Sequence, residues 1–368
     1  MKREVDVFVA GGGPAGLAAA LAARQRGLRV VVADSMAPPI DKACGEGLMP
    51  DAVAALARLG VEIPREKAFP FRGIRFVSGR FSVEAEFPSG EAVGIRRTAL
   101  HQLLVERAGA AGVQFLWQSV VHGITSQGAR VGDGEVEARW VVGADGSHSQ
   151  VRKWAGLDHH LQEKQRFAFR RHYRVPPWTD FMELHWAPGC QLYVTPVAAE
   201  EVCVAVISRD SKLRLDEAMR RFPRVRRHLR GKETTSAERG AATVMRRLKR
   251  VCSDRVALVG DASGGLDAIT GEGLCLAFRQ ASELATCFMT GNLKSYQRTH
   301  RRIFMRPAIM GELMLLLERQ DWLRGRVMRA FEHEPSVFAR MLATHVGASS
   351  TVEMATGGMA LGWGLLFT

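Results

Sequence analysis

Residues Val5 to Asp34, VDVFVAGGGPAGLAAALAARQRGLRVVVAD, leave the chain little choice about how its fold begins. The apolar run Val5, Val7, Phe8, Val9 and Ala10 predicts a short buried strand. A helix-length segment rich in Ala and Leu follows the glycines, and a second apolar strand closes at Asp34. Gly11, Gly13 and Gly16 fit G-x-G-x-x-G, and each has its own physical task. Gly11 makes the tight turn, Gly13 lets a pyrophosphate approach the backbone, and Gly16 lets the helix pack against the strand. Pro14 and Ala15 open the helix, whose free N–H groups and dipole favour an anion. Asp34 lies 18 positions after Gly16 (34 − 16), where a carboxylate can accept from a ribose 2′-OH, as in FAD or NAD. The pattern is that of a nucleotide-binding βαβ unit.

Two later stretches repeat the arrangement of a strand ending in glycine and aspartate. Trp140–Arg152, WVVGADGSHSQVR, runs an apolar strand into Asp145 and Gly146; Arg255–Phe278, RVALVGDASGGLDAITGEGLCLAF, runs one into Gly260 and Asp261. In the second, Gly271-Glu272-Gly273 and Leu274 precede a helix of small and apolar residues. Open α/β sheets bind ligands at the carboxyl ends of their strands, so Gly11, Asp145 and Asp261 are expected to face one crevice.

Between these stretches the chain changes character. Asp51–Leu59 reads as a helix, Phe69–Val93 as a hairpin turning at Pro88-Ser89-Gly90, and Arg97 opens an amphipathic helix. VQFLWQSVVHGI reads as one strand, a hairpin turns at Gly132-Asp133-Gly134, Phe167–Ile207 alternates as strands of a second sheet, and Leu215–His228 reads as one basic amphipathic helix. The remainder is expected to be helical, with an apolar stretch at Ile309–Leu317 and a glycine-rich apolar tail at Gly357–Phe367. The loop after Asp34 holds Cys44-Gly45-Glu46-Gly47, where flanking glycines suggest a backbone pressed close to something flat. A free cysteine is as readily a small buried hydrophobe, so Cys44 stays open between the two.

Six scattered cysteines with no C-x-x-C pair predict neither disulfides nor a metal site, and suggest a reducing cytoplasm. MKREVDV enters the first strand directly, leaving no signal peptide, and no apolar window is long enough to span a membrane. The net charge of +13 gathers partly in Arg220–Lys232 and Arg246–Arg250. Such runs are solvated faces or attract an anionic membrane surface or an acidic carrier protein. Without interleaved aromatics they do not suggest nucleic acid.

GGGPAG with Asp34, GADGSHSQVR and LVGDASGGLDAITGEGL, in this order, resemble the FAD-dependent aromatic hydroxylase and geranylgeranyl reductase superfamily over about the first 300 residues. The resemblance implies that Gly11, Gly13, Pro14, Ala15, Gly16 and Asp34 hold the ADP half of FAD. It implies further contacts from Arg97, Asp145, Gly146, Gly260, Asp261, Gly271, Gly273 and Leu274, with NAD(P)H as a transient electron donor. Gly-Asp-Ala-Ser without the hydroxylases' His, the Gly-Glu-Gly motif and the cysteine loop lean towards the reductase branch. Against that, Gln191–Pro196 replaces the reductases' aromatic substrate motif, so a prenyl substrate does not follow.

The expected architecture is α/β: a doubly wound, Rossmann-like FAD domain (1–68, 96–160 and 244–300). An antiparallel-sheet substrate domain (69–95 and 161–243) is inserted, and a helical cap (301–368) follows. The expected chemistry is hydride delivery from reduced FAD to a C=C bond of a hydrophobic prenyl, lipid-like or polyketide molecule. Cys44, Glu46 and Tyr193 are candidate proton donors. Hydroxylation of an aromatic ring by a flavin monooxygenase is the alternative, and a flavin-binding partner without catalysis the third. Aromatic residues of the inserted sheet, Phe167 to Val194, either line a lipophilic pocket or fill the core. The apolar C-terminal stretches beside Arg301, Arg302 and Arg306 suggest a cytoplasmic protein that rests on a membrane.

Overall fold

In the computed structural model, which describes residues 3–348, the Val5–Asp34 stretch folds as its pattern requires. Strand Arg3–Ala10, helix Pro14–Arg24 and strand Val30–Asp34 follow in order. Pro14 occupies the first helical turn, where its missing N–H costs nothing. The helix is buried nearly throughout because it lies between its own sheet and the helix Gly273–Thr290, which explains its row of alanines.

The first sheet has seven strands, and its register is what assembles the site. Arg3–Ala10 lies parallel to both Val30–Asp34 and Gly134–Gly143, and Gly134–Gly143 lies parallel to Val256–Leu258. Ala10 pairs with Gly143, and Gly143 with Leu258. Three strands therefore end at one level, and the turns that follow them (Gly11, Ala144–Asp145 and Gly260–Asp261) emerge side by side.

The second sheet also has seven strands, in the spatial order Arg239–Leu248, His160–Arg174, Glu201–Ser208, Cys190–Ala198, Phe181–Ala187, Gly73–Ser78, Phe81–Glu86. It is antiparallel except where Phe181–Ala187 runs parallel to Gly73–Ser78. One face packs against the helices Leu293–Arg319, Asp321–His333 and Pro335–His345, through Leu184, Trp186, Phe331 and Phe338 among others. The other face, with Leu192, Val194, Val204 and Val206, packs against residues 213–229.

Three readings of local structure need correction. VQFLWQSVVHGI is two strands, Gln114–Trp117 and Val121–Ile124, parted at Gln118, which takes a left-handed φ of 55°. The hairpin in Phe69–Val93 is Gly73–Ser78 with Phe81–Glu86. Phe69–Phe71 and Ala92–Gly94 leave it to form a small sheet with Gly47–Leu48, so Pro88-Ser89-Gly90 is a passage between sheets. The basic helix is broken into Leu215–Ala218, a 3-10 turn and Pro223–Leu229, because Pro223 has no N–H to continue the ladder. The apolar tail Gly357–Phe367 lies outside the described residues.

Candidate functional site

A cavity of about 570 Å³ lies between the carboxyl ends of the first sheet and the facing wall of the second, within the range of small-molecule sites. Gly11, Gly13, Pro14, Ala15 and Asp34 line it, with Arg97, Asp145, Gly146, Gly260 and Asp261 from later turns. Gly271, Gly273, Leu274, Cys44, Glu46 and Tyr193 complete the set of residues singled out from sequence. Gly16 is the exception, since it faces the strand instead. A Cβ there would lie 1.9 Å from the Gly11 carbonyl oxygen, whereas a Cβ on Gly13 would meet nothing within 4 Å. The turn at Gly11 needs glycine for a second reason: its φ is +109°, and a side chain would strike the Ala144 carbonyl at 2.4 Å.

Asp34 accepts hydrogen bonds from the Gly12 and Met36 N–H groups at 2.7 and 2.8 Å, which hold the carboxylate at the strand end with lone pairs to spare. His101 braces the same turn. Its Nε2–H donates to the Gly12 carbonyl (2.8 Å), and burial lowers its pKa, keeping the ring neutral. Asp145 is turned towards the short helix Gln150–Trp154, accepting from the N–H groups of Gln150 (2.7 Å) and Val151 (3.1 Å). The fully buried Arg152 ties that turn to the next by donating to the carbonyls of Ser147 (3.0 Å) and Ala262 (3.1 Å).

Asp261 forms an ion pair with Lys42 at 2.8 Å. Desolvation presses its pKa upward, but Lys42, Arg97 and Arg246 together outweigh this and leave the carboxyl below its usual range. Lys42 reaches the site from the loop after Asp34, and the sequence offered only its place beside the cysteine loop. Arg97 opens the helix Arg97–Ala110, and its buried Nε has no hydrogen-bond partner among the described residues.

The cysteine loop is held from several sides. Thr195 donates its hydroxyl to the Gly45 carbonyl (2.7 Å), and the Ile95 N–H donates to the Glu46 carbonyl (2.9 Å). Glu46 takes a left-handed φ of 60°, and its side chain is buried. There it meets the Arg97 N–H (3.0 Å), His172 Nε2 (2.6 Å) and Arg170 Nε (3.6 Å). Glu46, His172 and Cys203 have ligand atoms within 4.8 Å of one another. The Arg170 guanidinium at that carboxylate and the hydrogen bonds already made oppose a metal cation there. Cys44 is half-buried and lines the cavity, its Sγ accepting from the Glu46 N–H at 3.4 Å.

Tyr193 is buried, donates its hydroxyl to the Ile269 carbonyl (2.6 Å), and has its pKa pushed well up by desolvation. It stands in the wall where the cavity meets a smaller neighbouring pouch. Of the aromatic and aliphatic residues singled out on the second sheet, Tyr193 reaches the cavity. Phe169, Tyr173, Trp178, Leu192 and Val194 fill the core on the opposite face. The sheet's contribution to the wall is instead Ala168, Met182, Ala205, Ile207 and Val244, with Arg170. These residues gave no signal in sequence.

These residues suit FAD. There is room over Gly13, an orphaned donor on Arg97, a helix N-terminus, and a wall that turns from polar turns to small apolar side chains. Residues 4–291 match the model of the family described as FAD binding domain. The menaquinone reductase of Mycolicibacterium smegmatis is 28% identical over 323 residues, covering 80% of this chain and 79% of the relative. The digeranylgeranylglycerophospholipid reductase of Thermoplasma volcanium is 27% identical over 301 residues, 74% of each. Among solved structures, a geranylgeranyl bacteriochlorophyll reductase-like protein from Thermoplasma acidophilum superposes with a TM-score of 0.74 at 21% identity, over 85% of this chain and 88% of that one. At that identity the likeness concerns the fold.

Proposed function

The chain belongs to the FAD-binding domain family and is an FAD-dependent oxidoreductase; on that premise we propose that it reduces a C=C bond of a hydrophobic, isoprenoid-like molecule. The observation that carries this reading is the change of character along the cavity. Its wall passes from charged turns at Asp34, Asp145 and Asp261 to Ala168, Met182, Ala205 and Ile207. An apolar wall recognises a hydrocarbon chain and excludes water from the reacting carbons.

In this reading Gly11, Gly13, Pro14 and Ala15 receive the pyrophosphate, Asp34 the ribose, and Arg97, Gly146, Gly260 and Asp261 the middle of the cofactor. Gly271, Gly273 and Leu274, which line the same cavity, would hold the rest of it. Bound FAD supplies the hydride, after reduction by NAD(P)H. The chain's own work is to hold the substrate against that position with Met182, Tyr193 and Ile207, keep the chamber dry, and deliver a proton to the second carbon. Cys44 faces the cavity from the loop, whereas the Glu46 carboxylate is engaged with Arg170 and His172. Glu46 is therefore read as the residue that sets the loop's shape.

The substrate is taken up from a membrane surface in this proposal. On the helix Leu293–Arg319, Met305 (62% exposed), Ile309 (58%) and Leu316 (44%) share one face, continued by Trp322 (65%) and flanked by exposed Arg301, Arg302 and Arg319. Arg306 does not join them, because it turns inward towards Asp51 and Glu272. No helix among the described residues is long and apolar enough to cross a membrane, so contact would be at the surface.

The test is the mass of the product made by holoenzyme from geranylgeraniol in vesicles, with and without O₂. A gain of two hydrogens without O₂ supports the reading. A gain of one oxygen, and only with O₂, replaces it with the monooxygenase alternative.

A further inference from the structure

A pouch of about 30 Å³ adjoins the cavity and shares Met49, Met182 and Tyr193 with it; Met310, Met314 and His345 are also on its wall. His345 ends the helix Pro335–His345, and its Nε2–H donates to the Thr270 carbonyl at 3.1 Å. That fixes the tautomer and leaves Nδ1 as a lone pair. Nδ1 lies 3.7 Å from Glu272 Oε2, and neither atom has a hydrogen-bond partner among the described residues although both are buried. Buried polar atoms without partners are rare and costly. A single proton on Glu272, offered to Nδ1, would satisfy both.

The surroundings keep that proton on the carboxyl. Arg306 approaches Asp51 (3.6 Å) and Glu272 (3.7 Å), and Cys275 donates its thiol hydrogen to Asp51 (3.0 Å). Burial first, and then the neighbouring Asp51 charge, push the Glu272 pKa up to about 8, against the pull of Arg306 and Arg279. Burial lowers His345 to about 4, with Arg306 adding to the effect. At neutral pH the acid of the pair is Glu272, and the imidazole is neutral.

We propose that Glu272 and His345 share one proton and form the buried acid of this site, Glu272 acting through His345. The Nε2–H bond breaks as its proton turns from the Thr270 carbonyl to the substrate carbon that does not receive the hydride, and the Glu272 O–H proton crosses to Nδ1. Glu272 ends as a carboxylate beside Arg306, and His345 as the other neutral tautomer, until solvent returns a proton to Nε2 and the Nδ1 proton goes back to Glu272. This rests on the C=C reduction reading; His345, which lines the pouch, would be the catalytic residue and Glu272 its positioning partner.

The pair itself is tested without turnover. Full-length holoprotein labelled with ¹⁵N and ¹³C histidine is titrated by NMR, with His345 assigned from its loss in His345→Gln. The expected result is an Nε2–H tautomer whose Nδ1 shift follows a midpoint of about 8, a dependence absent in Glu272→Gln, which keeps shape and donor but cannot transfer its proton. A flat His345 signal, or the same midpoint in Glu272→Gln, overturns the pair. In a second arm, dithionite-reduced holoprotein is mixed anaerobically with geranylgeraniol. Reoxidation slowed about a hundredfold in Glu272→Gln supports the proton role, and an unchanged rate overturns it. If wild type is not reoxidised by the alkene, it is the C=C reading that falls, and the NMR titration alone decides the pair.

Discussion

Glu46 and His172, 126 positions apart, meet with Oε2 2.6 Å from Nε2 and so fasten the glycine-flanked loop to the second sheet. Both are buried, and the carboxylate also takes the Arg97 N–H and faces Arg170. Removing one member of a buried ionic cluster leaves the others uncompensated. Glu46→Ala is therefore expected to destabilise the protein by about 3–5 kcal/mol. The double variant with His172→Ala should lose less than the sum of the singles. Urea denaturation of the three variants checks this; strict additivity would mean that the two residues do not act together.

Gly13 and Gly16 belong to one motif but should fail in different ways. Gly13→Val places its side chain in open space, so the melting temperature of flavin-free protein should be unchanged while flavin content is lost. Gly16→Ala puts a Cβ 1.9 Å from the Gly11 carbonyl and should lower stability with or without flavin. Absorbance of bound flavin and thermal melts of the stripped proteins separate the two. Gly13→Val that keeps wild-type flavin would remove Gly13 from the proposed binding site.

Cys44 is half-buried on the cavity wall. Cys44→Ser should lower turnover while flavin content and melting temperature stay near wild type. The contrary pattern, lower stability with unchanged activity per bound flavin, would make Cys44 a packing thiol.

Stability should depend on pH through Glu272. Its carboxyl holds the proton up to about pH 8 in the folded protein but loses it near 4.5 when unfolded. Between these values the folded state binds more protons, so stability falls as pH rises through about 8. His345 works in the opposite sense and lower down, costing stability as pH falls from 6.5 to about 4. Between roughly pH 6.5 and 8 the Glu272 effect stands apart, and Glu272→Gln should flatten the denaturation midpoint there. An equal slope in both proteins would refute it.

The exposed face of the helix Leu293–Arg319 should bind anionic liposomes at low salt and ignore neutral ones. Ile309→Glu with Met305→Glu should weaken sedimentation, and deletion of the residues after Thr356 should weaken it further. Indifference of wild type to anionic liposomes would sink the membrane proposal.

The βαβ unit was legible because it is local: strand, glycine turn, helix and closing acid are consecutive, and each glycine answers to backbone sterics that hold wherever the motif occurs. The ends of the other two strands were legible for the same reason. That the three share one crevice depended on a register, Ala10 to Gly143 to Leu258, which a right-handed parallel sheet makes natural. The side-chain partners were not legible. Lys42 meets Asp261 across 219 positions, Glu272 meets His345 across 73 (345 − 272), and Arg170 reaches Asp41 from another sheet. Sequence spacing carries no record of such contacts, and burial, which sets whether Glu272 keeps its proton or Tyr193 can give one up, exists only once the sheets and C-terminal helices have closed around them. The chain's own pattern thus determined the nucleotide-binding βαβ unit, and packing decided which of its acids, imidazoles and thiols face the cavity and in what protonation state.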